Sequence, residues 1–200
     1  MAQSHPVAEE ADAASRFVAL SLGGIAVGVI GVILTFLLHT NLVDQISFSL
    51  REIAAGLAAV APPGLCLIWF ANTKASSLAR FRRSQAEFFS SIGFRFTWLR
   101  IICMATIAGV GEEILFRGAI QPWFATLMPM AFALILSNVI FGALHWRTII
   151  YAVVAGVVGL YLGALALLTG GLIAPIITHT VYDILALAYA RWYQSGVLTP

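Results

Sequence analysis

Charge is what this chain has least of. Of its 200 residues 10% are charged and 60% are hydrophobic, whereas a soluble domain carries roughly 25% charged residues. With a mean hydropathy of +0.95, the composition excludes an ordinary soluble globule and leaves a polytopic membrane protein. The net charge is only +2, and no basic domain stands apart from the apolar segments, so a nucleic-acid partner is excluded. Cysteine is also scarce. Cys66 and Cys103 both fall in apolar runs without metal-ligand spacing, which excludes a disulfide framework and reads as two small buried hydrophobes. A secretory signal is missing as well: the first sixteen residues hold Glu9, Glu10 and Asp12, the wrong charge for a leader, and the apolar run behind them is too long. There is no internal repeat and no low-complexity tract.

What is present is a series of apolar segments near the roughly 20 residues that cross a hydrocarbon core. Residues 17–38 and 53–71 are the clearest. A third segment, 99–120, is interrupted by charge and expected to stop at Pro122. The others are 129–145, 149–168 and 172–190, with Thr169, Gly170 and Gly171 as the last turn. Pro62 and Pro63 are expected to kink the second helix. The fold class is therefore all-α, a polytopic transmembrane bundle of about six spans. Residues 1–16 read as a mobile cytoplasmic tail and 17–98 as two spans with a basic cytoplasmic loop. Residues 99–190 form a core of four further spans, and 191–200 a second cytoplasmic tail. Lys74, Arg80, Arg82, Arg83 and Arg95 crowd the loop after the second span, and cytoplasmic loops carry the excess of Lys and Arg. That assignment puts Arg16, Arg100, Arg147, Arg191 and both termini on the cytoplasmic side and leaves only Arg51 outside. In a bacterium the membrane is the plasma membrane. Trp69, Trp98, Trp123, Trp146 and Trp192 fall at helix ends, as an aromatic belt requires.

Charge inside the third segment needs a reason. Glu112, Glu113 and Arg117 lie in the run EEILFRG, and intramembrane ionisable groups usually face a bundle interior and mark function. Glu113 and Arg117 are four apart and share a helix face, so they read as an internal ion pair that fixes register. Glu112 points about 100° away and lacks a local cation, which suits general-base work. Phe141 and His145 in FGALH share a face of the fourth helix; His179 and Asp183 in HTVYD share a face of the sixth. An aspartate one turn from an imidazole can hold its tautomer or stabilise its cation. His5 and His39, in the tail and at a helix end, carry no such companion.

The three segments EEILFR, FGALH and HTVYD resemble, in order and on separate helices, the signature motifs of the CPBP intramembrane protease family. That family includes type II CAAX prenyl endopeptidases and bacteriocin-processing or self-immunity proteins. The resemblance covers residues 99–190 and implies a glutamate-type endopeptidase acting within or beside the membrane. By motif position it implies that Glu112 and His145 bind and activate water, that His179 and Asp183 stabilise the oxyanion, and that Glu113, Arg117 and Phe141 position the site. It implies no cofactor. The partners it implies are the bilayer and a membrane-proximal peptide or protein substrate, with the oligomeric state left open.

Three other readings compete. Glu112, His145 and His179 with a water would make an ordinary catalytic zinc set, although no HExxH spacing supports it. Buried Glu and His also suit a transporter or proton relay, without the paired broken helices of such sites. A non-catalytic immunity protein could use the fold to bind a partner. One geometric demand is specific: straight helices put Glu112 roughly 20 Å from Trp98 and bring the fourth helix about 24 Å along its length by His145. For the two side chains to meet, the turn at Trp146 and Arg147 is expected to dip into the protein.

Overall fold

The computed structural model describes residues 6–194, so His5 and the chain ends, including part of each predicted tail, lie outside it. Among the described residues every regular element is helical. Helix α1 (Pro6–Leu37) begins at Pro6 rather than at Phe17, taking in much of the expected tail, and Arg16 reaches back four residues to Asp12 at 2.8 Å. Helices α2 (Leu50–Ala58) and α3 (Ala61–Asn72) form the second span, broken where Pro62 and Pro63 were expected to kink it. Proline has no N–H, so Pro63 cannot bond the carbonyl four residues back. The Tyr161 hydroxyl donates to that orphaned Ala59 carbonyl at 2.8 Å.

The basic loop contains an unanticipated helix, α4 (Ser76–Ser91). Helix α5 (Trp98–Glu113) runs directly into a π-helical segment (Ile114–Ile120) and then α6 (Gln121–Leu127). Pro122 therefore does not end the third span. It lies at the start of α6 within a continuing helical run, and the Gly118 carbonyl that its missing N–H leaves free accepts from Thr40 and Gln45 instead. Helices α7 (Met130–Leu144), α8 (Ile149–Thr169) and α9 (Ile173–Gln194) complete the order, and Gly170, in the left-handed region at φ 79°, closes α8 as the sequence expected.

By length and composition four of the described stretches can cross a membrane: 10–37, 50–72, 149–169 and 173–193. Helix α7 is shorter, and the α5–α6 run carries the buried charges. The surface is inside-out relative to a soluble protein. Val18, Leu22, Val29 and Phe36 on α1 and Val153, Val157 and Leu168 on α8 are exposed, while Glu113, Arg117, Gln121, Asn138 and His179 are buried. This is the pattern of a bundle solvated by lipid, which gives apolar side chains no reason to hide. Cys66 is exposed and Cys103 half-buried, so neither is the buried hydrophobe expected.

Helix α1 packs on α5 and the π-helical segment, α9 on α5 and α2, and α7 on α8. Close approach explains the first contact: a Cβ on Gly28 would stand 3.2 Å from the Gly111 backbone. At one end of the bundle Phe94, Phe96 and Ile101 form a core. There Arg100 lies over Phe17 and Phe94, and Arg191 over Trp98 with its guanidinium bonded to the Phe96 carbonyl. At the other end, Glu52 accepts from the Ile173 N–H at 3.1 Å and so caps α9 from a distant helix.

Candidate functional site

The site is built where α5, α7 and α9 converge. Glu112 and Glu113 occupy the last turn of α5, immediately before the backbone widens into the π-helical segment. Such segments are often found at functional sites because they re-aim side chains within a continuing helix. The Gly118 carbonyl there is taken up by Thr40 Oγ1 at 2.7 Å and Gln45 Nε2 at 3.2 Å from the loop after α1.

Glu113 and Arg117 form the expected pair, Oε1 to Nη1 at 2.9 Å, with both side chains 0% exposed. A buried pair needs further hydrogen bonds to offset desolvation. Arg117 Nη2 supplies two, to Asn138 Oδ1 at 2.9 Å on α7 and to the Gly159 carbonyl at 2.5 Å on α8. Glu113 Oε1 takes another from His179 Nδ1 at 2.8 Å. The group that orients His179 is therefore Glu113. Asp183, one turn along α9, instead faces the other ring nitrogen at 3.6 Å, beyond hydrogen-bond length.

His145 caps the C-terminus of α7, and its Nδ1 donates to the Phe141 carbonyl at 2.8 Å. The Phe141 ring is tilted over the imidazole at 4.4 Å between centroids, and Arg117 lies over the same ring at 5.0 Å. Phe141 thus spaces the guanidinium from the histidine. With each Nδ1 occupied, both imidazoles present Nε2 to one carboxylate oxygen: Glu112 Oε2 is 3.7 Å from His145 Nε2 and 4.0 Å from His179 Nε2. That oxygen has no hydrogen-bond partner.

The two depths are reconciled by a short helix. Helix α7 has 15 residues, about 22 Å at 1.5 Å per residue, so it ends before a full crossing and leaves His145 level with Glu112. The following turn is held by Arg147, whose guanidinium lies 4.0 Å over Phe88 of α4 and 5.0 Å over Tyr151 of α8.

Exposure separates the two glutamates. The side chains of Glu112 and His145 are 22% and 26% exposed, while Glu113 has none. The Glu112 side chain is partly open and Glu113 is sealed, although Glu112 Oε2, the oxygen facing the imidazoles, is itself buried. All seven residues singled out from the sequence, Glu112, Glu113, Arg117, Phe141, His145, His179 and Asp183, are linked in this one constellation. Asn138 and Gly159 were not foreseen. Their signals were available: a lone amide inside an apolar helix, and small residues at 156, 159 and 163 where helix backbones meet. Among the described residues no group of three His, Cys, Asp or Glu side chains is arranged to hold a metal ion.

An all-helical bundle with apolar outer faces and buried carboxylate and imidazole side chains defines an integral membrane protein with an internal polar site. Residues 94–185 match the family described as type II CAAX prenyl endopeptidase Rce1-like. This segment, which holds all seven residues, is similar to that family of membrane proteases. No curated protein and no solved structure matches the chain.

Proposed function

We propose that the protein is a glutamate-type intramembrane endopeptidase acting on a membrane-proximal segment of a peptide or protein substrate. The observation that carries this reading is the convergence of Glu112 Oε2 with two Nε2 atoms whose rings are each fixed through Nδ1. A water between Glu112 and His145 donates to both and turns a lone pair toward the scissile carbonyl carbon, and Glu112 takes its proton. The carbonyl oxygen gains the charge. His179 donates to it through Nε2–H, which requires the imidazolium while Glu113 holds Nδ1–H. Asp183 lies beside that cation and balances it. When the C–N bond breaks, the proton held by Glu112 passes to the departing amine, which restores the carboxylate and leaves a new carboxyl terminus.

The substrate brings its own membrane-proximal segment to this small bundle, and the basic end bearing Arg16, Arg100 and Arg191 is cytoplasmic. Quantitative mass spectrometry of membrane peptides from cells with wild-type protein or Glu112→Gln tests the activity and finds the substrate together. New termini that appear only with wild type are expected; identical peptide sets would refute the reading. Loss of turnover on chelation, restored by zinc, would favour the zinc reading on the same residues.

A further inference from the structure

We infer that Asn138 is a positioning residue that sets both imidazoles of the site through Arg117, an inference that rests on the protease reading above. Asn138 is buried in the middle of α7 and touches neither histidine. Its Oδ1 accepts from Arg117 Nη2 at 2.9 Å, and its Nδ2 donates to the Leu134 carbonyl at 2.8 Å, which fixes the amide's orientation. Arg117 is thereby tied to α7 by Asn138, to α8 by the Gly159 carbonyl and to Glu113 in its own helical run. Glu113 in turn holds His179 Nδ1. The order Asn138, Arg117, Glu113, His179 crosses three helices by side-chain contacts of 2.9, 2.9 and 2.8 Å.

The same amide sets the second histidine by a different route. Asn138 and His145 are seven residues apart on α7, close to two turns, so they lie on one face. Fixing Asn138 to Arg117 fixes the rotation and height of α7, and therefore where its C-terminal residue stands against Glu112. Space has been left for this: a Cβ on Gly159 would stand 2.6 Å from Asn138 Oδ1 and 3.3 Å from Arg117 Nη2. Only glycine lets the α8 backbone carbonyl and the Asn138 amide share one guanidinium nitrogen.

A helix-packing role alone would change folded yield and leave the histidines as they are, so the test reads the rings themselves. Protein labelled with ¹⁵N in the histidine rings is compared as wild type, Asn138→Leu and Asn138→Asp, with His179→Gln assigning the His179 signals, and kcat and KM are measured on one substrate. Leucine has a similar volume and neither acceptor nor donor; aspartate keeps the acceptor toward Arg117 and loses only the donor to Leu134. The expected result is displaced His179 ring signals and a kcat at least about tenfold lower in Asn138→Leu, as misplacement of catalytic groups produces, with KM within about twofold. Asn138→Asp, which keeps the acceptor toward Arg117 but loses the donor to Leu134, should be displaced and slowed less than Asn138→Leu. If Asn138→Leu does not accumulate, Asn138→Ser, whose hydroxyl cannot reach Arg117, serves in its place. Unchanged His179 signals in the folded leucine or serine variant would overturn the inference, as would equal loss in the aspartate variant. Displaced signals in a wild-type background that cleaves nothing would support the positioning role and overturn the protease reading instead.

Discussion

At Asp183 and Glu113 the structure reassigns a role that residue type alone leaves open. The aspartate one turn from His179 is the natural candidate for holding its tautomer, yet Nδ1 is bonded to Glu113, and Asp183 stands 3.6 Å from Nε2. Asparagine at 183 leaves that orientation untouched and replaces the carboxylate with a hydrogen-bond donor near the oxyanion, while Glu113 still holds the imidazolium, so Asp183→Asn should retain most of kcat. Glu113→Gln should not. It removes the charge that balances both Arg117 and the imidazolium, and it can reverse the tautomer, which in a serine-protease triad costs about four orders of magnitude. Steady-state kinetics of the two variants on one substrate decide the matter: a dead Asp183→Asn beside an active Glu113→Gln would return the orienting role to the aspartate.

Among the elements, α9 shows how the scaffold serves the site from a distance. It carries His179 and Asp183, and its N-terminus is capped by the buried Glu52 on α2. A charged hydrogen bond of this kind contributes about 1.5–3 kcal/mol. Glu52→Ala should therefore lower the thermal midpoint of the purified protein while leaving kcat at a lower, stabilising temperature within about threefold, as a residue outside the reaction does. A large kcat loss with an unchanged midpoint would contradict a purely structural cap. The same elements show what a sequence can reveal. The break at Ala59 and Val60 and the turn at Gly170 follow from local chemistry, a proline without a donor and a glycine at positive φ, and both were legible. The Glu113–Arg117 pair was legible because one helix face sets it. The π-helical segment, the α4 helix and the Glu52 cap were not. Each depends on partners far along the chain, such as Thr40 and Gln45 bonding the Gly118 carbonyl or Phe88 stacking on Arg147. Pro122 misled for the same reason: the carbonyl it leaves without a helical donor, that of Gly118, is satisfied by Thr40 and Gln45 from far along the chain, so the helix continues.

For the whole molecule, the basic side chains of Arg16, Arg100 and Arg191 gather around Phe94, Phe96 and Trp98 at one end, and Arg51 follows the opposite loop. The positive-inside rule predicts that this end faces the cytoplasm. Reporter fusions after Thr40 and after Arg191 should report opposite sides of the membrane; the same side for both would overturn the orientation and the number of crossings. In the proposed mechanism one carboxylate, Glu112 at the meeting point of α5, α7 and α9, performs the hydrolysis. Single-turnover cleavage by purified wild-type and Glu112→Gln protein, each shown to be folded and each measured with and without a chelator, tests it most directly. The account predicts that wild type cleaves one defined bond at a rate indifferent to the chelator, and that Glu112→Gln is slower by at least about a thousandfold, consistent with loss of general-base catalysis. A Glu112→Gln rate within about tenfold of wild type, too small a loss for removal of the base, would contradict it.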